Sequence, residues 1–245
     1  EIAGYLNKFP PFCIEVSLNG VTQKTYELVT QTPGSFEKAM RGIELIRKYN
    51  LPLKLKCQAI TLNFDELPLM RGFYQNMRMK FRCSILIDPR MDGSIEPCSL
   101  RLPVEKVLEL NDRKELVEGR DEIEDNFEEE PSNNLFRCPG GTWAFYVSPF
   151  GELFFCNSVR KPSWDLRKYS FKQGFYEFFP KIRSAKFESD SLCRTCSLWH
   201  LCFRCPGKAE LECGNPEAPI EYYCHLARAR SSALVGESSL TKRIH

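Results

Sequence analysis

The sequence predicts an α/β chain in two parts: parallel β/α units first, then a small cysteine-rich domain with a β-hairpin and short helices. Three observations predict this. Apolar runs of strand and helix period alternate through residues 12–87, an acidic stretch near residue 120 breaks that texture, and six of the twelve cysteines fall between Cys193 and Cys224. At 245 residues there is room for one large domain or two small ones, and 42% hydrophobic residues are enough to build ordinary cores in either case. A net charge of +2 points to neither nucleic acid nor a polyanionic surface. No run reads as a transmembrane segment or signal peptide. The first residue is Glu1 rather than Met, so the chain is expected to be a piece that lacks an N-terminal region.

Residues 12–18 read as a buried strand closed by a turn at Asn19-Gly20. Thr22 to Thr30 reads as a short helix, broken at Pro33-Gly34. Ser35 is then expected to N-cap a helix to about Tyr49, with Lys38 where a capping box would place Glu. Phe36, Ala39, Met40, Ile43, Leu45 and Ile46 give that helix a broad apolar stripe. Leu53 to Thr61 is a second strand with Lys54 and Lys56 facing outward. Phe64 to Arg78 is a helix interrupted or started late by Pro68, and Met79 to Ile87 is a third strand. Short joints between such elements are the mark of parallel β/α units. Three strands do not close a barrel, which takes about eight, so either the sheet is open or strands are missing.

A polar turn at Met91–Ser94 precedes a helix from about Pro103 to Val117. Seven acidic residues then crowd positions 120–131, which reads as a solvated linker or a charged helix end. The domains expected are 1–118, an acidic linker 119–134, a cysteine-rich domain 135–230 and a flexible basic tail 231–245. In the third of these, Trp143–Val147 and Glu152–Cys156 flank the Ser148-Pro-Phe-Gly151 turn as a hairpin with a thiol near each outer end. Phe175 to Ile182 is an aromatic short helix packed on it.

The thiols carry the chemistry. Cys193-x2-Cys196-x5-Cys202-x2-Cys205 contains two C-x-x-C pairs, each spaced so that both sulfurs can turn onto one centre. With Cys138, Cys156, Cys213 and Cys224 there are eight thiols, enough for two four-ligand sites. Two zinc ribbons or two iron–sulfur clusters both satisfy that arithmetic, with zinc slightly ahead on spacing alone. Disulfides fit poorly, because the chain can bury a core without staples; a reducing, cytoplasmic setting is expected. Only His200, His225 and His245 occur, which argues against His-based hydrolysis. Cys13, Cys57 and Cys83 fall in predicted strands and read as small buried hydrophobes.

Cys138-x12-Gly151-x4-Cys156, followed by the Cys193–Cys205 run and Cys224, resembles the seven-cysteine signature of the SPASM domain, the C-terminal extension of many radical S-adenosylmethionine (SAM) enzymes. Pro206 and Gly214-Asn-Pro-Glu217 fit the same text; the two-residue gap between Cys202 and Cys205 is three in some members. The first half resembles the later part of a radical SAM (β/α) barrel through Ser17-Leu-Asn-Gly20, Thr25-Tyr26, Pro33–Phe36, Leu55–Asn63 with Asp65-Glu-Leu67, and the bridging segment Asp88–Gly93 with Pro97 and Arg101. The likeness spans roughly residues 10–230.

This resemblance implies two auxiliary [4Fe–4S] clusters. Cys193, Cys196, Cys202 and Cys224 would hold one. Cys138, Cys156 and Cys205 would hold the other, with an open fourth position for which Cys213 or, less readily, Cys98 is a candidate. Ser17 and Lys38 would contact SAM. The whole enzyme would modify a peptide or protein by hydrogen abstraction, drawing electrons from a flavodoxin or ferredoxin; no catalytic residue is assigned. The radical SAM loop C-x3-C-x2-C does not occur in these 245 residues, so this chain alone is expected not to cleave SAM. The alternative is a zinc- or cluster-stabilised peptide-binding module. Cations near the thiols (Arg160, Lys161, Arg167, Lys168, Arg194, Arg204, Lys208) would raise a cluster's potential, though surface solubility accounts for them nearly as well.

Overall fold

The computed structural model describes residues 2–79, 81, 83–111 and 133–241. The chain divides into two compact units, Glu1–Ile87 with Leu100–Glu122 and Asp88–Ser99 with Ile123–His245. The acidic stretch 120–131 and the predicted helix beyond Asn111 lie outside the described residues.

The first unit begins with a short helix that the sequence reading missed, α1 (Ile2–Lys8). It then runs β1 (Ile14–Ser17), α2 (Gln23–Thr30), α3 (Ser35–Lys48), β2 (Leu53–Gln58), α4 (Leu67–Asn76), β3 (Cys83–Ser84) and α5 (Val104–Asn111). The strands pair in parallel in the order β1-β2-β3, with Ile14 opposite Leu53 and Cys57 opposite Cys83. β3 is two residues long against the nine expected. Alternation places Lys54 and Lys56 outward, where both pair with Glu15 across β1. Met70 and Tyr74 of α4 are wholly buried; the Met70 sulfur lies 4.0 Å from the Cys57 sulfur, and the Tyr74 ring lies edge-on to Phe81 at 4.8 Å. Burial of a side chain such as Met70 contributes roughly 2 kcal/mol.

The start of α3 departs from expectation. Gly34, at φ +73°, is the N-cap and makes no side-chain cap bond; Ser35 is already the first helical residue. A side chain at that backbone angle is strained, so glycine takes the place of the usual hydroxyl cap. α4 starts after a 3₁₀ turn (Phe64–Glu66), with Pro68 in its first turn, where the missing N–H costs nothing. Cys57 and Cys83 are buried as expected, whereas Cys13 is half-buried and precedes β1.

The second unit contains an antiparallel meander, β4 (Tyr146–Val147), β5 (Glu152–Phe154) and β6 (Trp164–Asp165), the last strand not anticipated. The Ser148–Gly151 turn closes with a Gly151 N–H to Ser148 carbonyl bond (3.1 Å), and Gly151 sits at φ +78°, which favours the glycine of the cysteine signature. The aromatic helix is real but compound: α6 (Phe171–Gln173) and α7 (Phe179–Arg183) are joined by a π turn, Gly174–Phe178. Leu153, Phe155, Phe136 and Phe179 form its core with Trp164, Phe175, Phe178 and Ile182 around them. α8 (Pro206–Cys213) and α9 (Glu221–Thr241) complete the unit. Where a tail is expected from residue 231, Glu221 opens a continuous helix that runs to Thr241, and no Pro interrupts residues 221–241. Among the described residues, no helix is long and apolar enough to cross a membrane.

Candidate metal centre

Packing fixes where the thiols sit. Behind Cys138, Gly140 and Gly141 lie flat on the Phe155 ring; a Cβ on either would come within 2.7 Å of it, and Gly141 is also at φ +67°. Arg183 donates to the carbonyls of Cys138 (2.9 Å) and Gly140, fastening this loop to α7. Cys156 follows directly on β5 and Phe155. Cys205 is the N-cap of α8: its sulfur accepts the Lys208 N–H at 3.3 Å, with Pro206 in the first turn. Cys224 lies in the first turn of α9, and the Cys202 thiol points to the Tyr223 carbonyl at 3.8 Å.

The loop that carries Cys193 to Cys205 has no strand or long helix, so polar bonds hold it. The Glu217 carboxylate accepts the N–H groups of Glu188 (2.8 Å) and Ser189 (2.9 Å) and the Ser189 hydroxyl. Those bonds hold its carboxyl below the usual range. Arg204 donates to the carbonyls of Ala218 (3.2 Å) and Pro216, and the buried Arg230 donates to that of Leu201 (3.3 Å) while lying over the Phe203 ring. Glu217 therefore has a structural task that its place in the motif did not reveal.

None of the twelve cysteines, all of them among the described residues, is in a disulfide. Burial pushes the Cys202 thiol up to about 11; the Arg204 N–H opposes this, and Cys224, Cys193 and Cys196 add to it. Cys224 is raised by burial and again by Cys193 and Cys196, with Arg228 and Arg204 opposing. Burial also raises Cys205, against the Lys208 N–H and ammonium, and its thiol neighbours are instead Cys156 and Cys138. The thiols thus act on one another in two sets, four around Cys202 and three around Cys205. Thiols that resist each other's ionisation are suited to a cationic centre, which replaces the protons and relieves the repulsion.

The donor chemistry is soft and all sulfur in both sets. A single zinc needs four sulfurs about 3.8 Å apart, from a Zn–S bond of about 2.3 Å in a tetrahedron. Among the described residues, no three Cys, His, Asp or Glu side chains are gathered into such a single-ion site. Four thiolates are the donor set of a [4Fe–4S] cluster, and the Cys205 set supplies three. Cys213 is exposed, its sulfur 3.7 Å from the Pro219 carbonyl.

In the first unit, Ser17 ends β1 and Lys38 occupies the first turn of α3, both exposed. Beyond Ser17 the chain is held by a polar lattice at the strand ends. Asn19 accepts the Gln58 N–H (2.8 Å), and the buried Asn63 donates to the carbonyls of Asn19 (2.9 Å) and Gln58 (2.8 Å). The Glu66 carboxylate receives the N–H groups of Val21 and Thr22 and the Thr22 hydroxyl, capping α2. Gly20 is needed here because a Cβ would lie 2.8 Å from the Tyr26 nitrogen.

No protein-family model matches the chain. An AdoMet-dependent heme synthase of Methanosarcina barkeri (strain Fusaro) is 20% identical, across 82% of this chain and 64% of the relative. The chain therefore spans just under two thirds of that curated relative. Among solved structures, native anSMEcpe with bound AdoMet superposes with a TM-score of 0.61 at 16% identity, covering 99% of this chain and 72% of that one. The form with bound AdoMet and Cp18Cys peptide gives 0.59 at 15% identity, covering 92% and 68%. At these identities the structural likeness establishes a shared fold.

Proposed function

We propose that this chain is the later part of a radical SAM enzyme with a SPASM-type domain, which modifies a peptide or protein by hydrogen abstraction. The second unit then carries two auxiliary [4Fe–4S] clusters. The observation that supports this most directly is the split of the thiols into four and three. Cys202 and Cys205, only two residues apart, act on different partners, as the ligand order of a SPASM domain implies. Cys193, Cys196, Cys202 and Cys224 hold one cluster; Cys138, Cys156 and Cys205 hold the other through three thiolates.

Bound clusters of this kind would supply one-electron transfer or a position for substrate. The chain's own part is to hold and insulate them: Gly140 and Gly141 let the Cys138 loop lie on Phe155, and Glu217, Arg204 and Arg230 fix the loop of the four-thiol set. Ser17, at the end of β1 where β/α folds bind their ligands, and Lys38, in the first turn of α3, would contact SAM. A flavodoxin or ferredoxin supplies electrons, and the thiol chemistry suits the cytoplasm. Hydrogen abstraction belongs to the longer enzyme, because no C-x3-C-x2-C lies within these residues.

A peptide substrate is favoured by the likeness to peptide-bound anSMEcpe. The sequence relative favours a second reading, in which the substrate is a haem precursor. Metal analysis after anaerobic purification tests the cluster assignment: about eight iron and eight sulfide per chain are expected, whereas about two zinc without sulfide would establish the binding-module alternative. Equilibrium binding of a cysteine-containing peptide against a tetrapyrrole then chooses between the substrates.

A further inference from the structure

One half-buried ion pair stands beside the thiols. Lys208, one turn into α8, has a side chain only 15% exposed, and its ammonium lies 3.1 Å from the Asp88 carboxylate. Asp88 also accepts the Tyr223 hydroxyl at 3.3 Å, and the Tyr223 ring, 1% exposed, has the ammonium 5.8 Å from its centre. The same lysine gives its N–H to the Cys205 sulfur, and Tyr223 presents its carbonyl to Cys202. Asp88, Lys208 and Tyr223 thus form one connected group that touches a thiol of each set.

We propose that Lys208, held in place by Asp88, sets the reduction potential of the centre bound by Cys138, Cys156 and Cys205; this rests on the cluster assignment above. A thiolate-bound cluster is anionic, and one-electron reduction adds a further negative charge. A fixed cation beside it stabilises the reduced form more than the oxidised form and raises the potential; a fixed anion lowers it. Burial keeps most water from the ammonium, pairing to Asp88 keeps it from swinging into solvent, and the Asp88 carboxylate, 34% exposed, is the more screened of the two charges. Arg183 is a second cation at this set, spent on the Cys138 and Gly140 carbonyls, while Arg167 pairs with Asp165 at 2.9 Å, Arg160 bonds Asn157 and lies over Tyr146, and Arg204 ties the 216–218 loop. Asp88 positions Lys208 through a carboxylate oxygen, and Asp88→Asn keeps an acceptor oxygen for Lys208 and Tyr223 while removing only the negative charge. Its own charge partly offsets the lysine, so the two residues have opposite effects on the same centre.

The test is a redox titration followed by electron paramagnetic resonance on protein reconstituted with iron and sulfide, the titrant supplying the electron. A Cys196→Ala variant identifies which signal belongs to the four-thiol set. Lys208→Met should lower the midpoint of the three-thiol centre, Lys208→Arg should keep it near the wild-type value, and Asp88→Asn should raise it. The other centre should move less in each case. A plain structural ion pair predicts no opposite shifts. An unchanged midpoint in Lys208→Met with iron content intact, or shifts of the same sign in Lys208→Met and Asp88→Asn, overturns the proposal. If Lys208→Met fails to assemble its centre, Asp88→Asn decides, an upward shift supporting the assignment and no shift refuting it. Wild-type protein that takes up zinc or no cluster would remove the cluster assignment and this proposal together, which separates that failure from the first.

Discussion

Replacing Glu66 by Gln should destabilise the first unit by about 2 kcal/mol and remove part of its acid sensitivity. Glu66 is 8% exposed and caps α2 from forty-four residues away, receiving the Val21 and Thr22 N–H groups and the Thr22 hydroxyl. Gln keeps one acceptor oxygen but turns an NH₂ group toward donors and removes the charge that complements the helix N-terminus. A hydrogen bond to a charged group contributes about 1.5–3 kcal/mol and the helix-end charge about 0.3–1, of which Gln recovers part. Burial pushes the Glu66 carboxyl up, but bonds from Thr25, Val21 and Thr22 more than cancel that and leave it below its ordinary 4.5. The folded form therefore binds the proton less readily than the unfolded form. The stabilisation is whole above about pH 4.5 and is lost as the pH falls through the lower folded value. Thermal unfolding of the two proteins should differ by about 4–8 °C at pH 7, and the gap should narrow at pH 3. Equal midpoints at pH 7, or a gap that widens with acid, would refute the capping argument.

Three further outcomes follow from the second unit and the motif content. Gly141→Ala should cost about 2–4 kcal/mol, from the positive φ and the 2.5 Å approach to Phe155, read as a lower urea midpoint. Cys213→Ser should leave the iron content unchanged while Cys205→Ser lowers it, measured by iron assay after identical reconstitution; equal losses would place Cys213 among the ligands. Incubated with SAM and dithionite, the 245-residue chain should release no 5′-deoxyadenosine by liquid chromatography, since it carries no C-x3-C-x2-C loop.

Periodicity made the three parallel strands, α2, α4 and the hairpin legible, because each alternates apolar and polar residues at its own period. It failed where local chemistry decides. Gly34 rather than Ser35 caps α3 because the chain arrives there in a left-handed turn, which composition does not disclose. β3 is shorter than its apolar run, since an apolar run registers burial and not pairing. Ser231, Ser232 and Ala233 look like loop residues in the sequence, while the helix they continue is set by the turn of chain that starts at Glu221. In the candidate site, the thiols were visible as residues, but Glu217, Asp88 and Lys208 were visible only as flanking text. Their partners lie far away in sequence, and a contact of that kind has no local signature.

The pair Cys202 and Cys205 shows why spacing alone leads astray. A C-x-x-C pair reads as two ligands of one centre, and on that reading these two thiols would share a metal. Here the chain leaves a 3₁₀ turn (Trp199–Leu201), runs extended through Cys202, and enters α8 at Pro206, with Cys205 as the cap. Extended backbone turns side chains two apart to the same side and side chains three apart to opposite sides. Cys202 consequently feels the charge of Cys193, Cys196 and Cys224, while Cys205 feels that of Cys138 and Cys156. Phe203 and Arg204 are then all that separates two thiol sets along the chain, and Arg204 is pinned to the 216–218 loop. A displacement at one set is passed to the other through two residues with little freedom to absorb it. Substitutions at Arg204 should therefore disturb both sets, whereas substitutions at Gly140 should disturb only the Cys138 side.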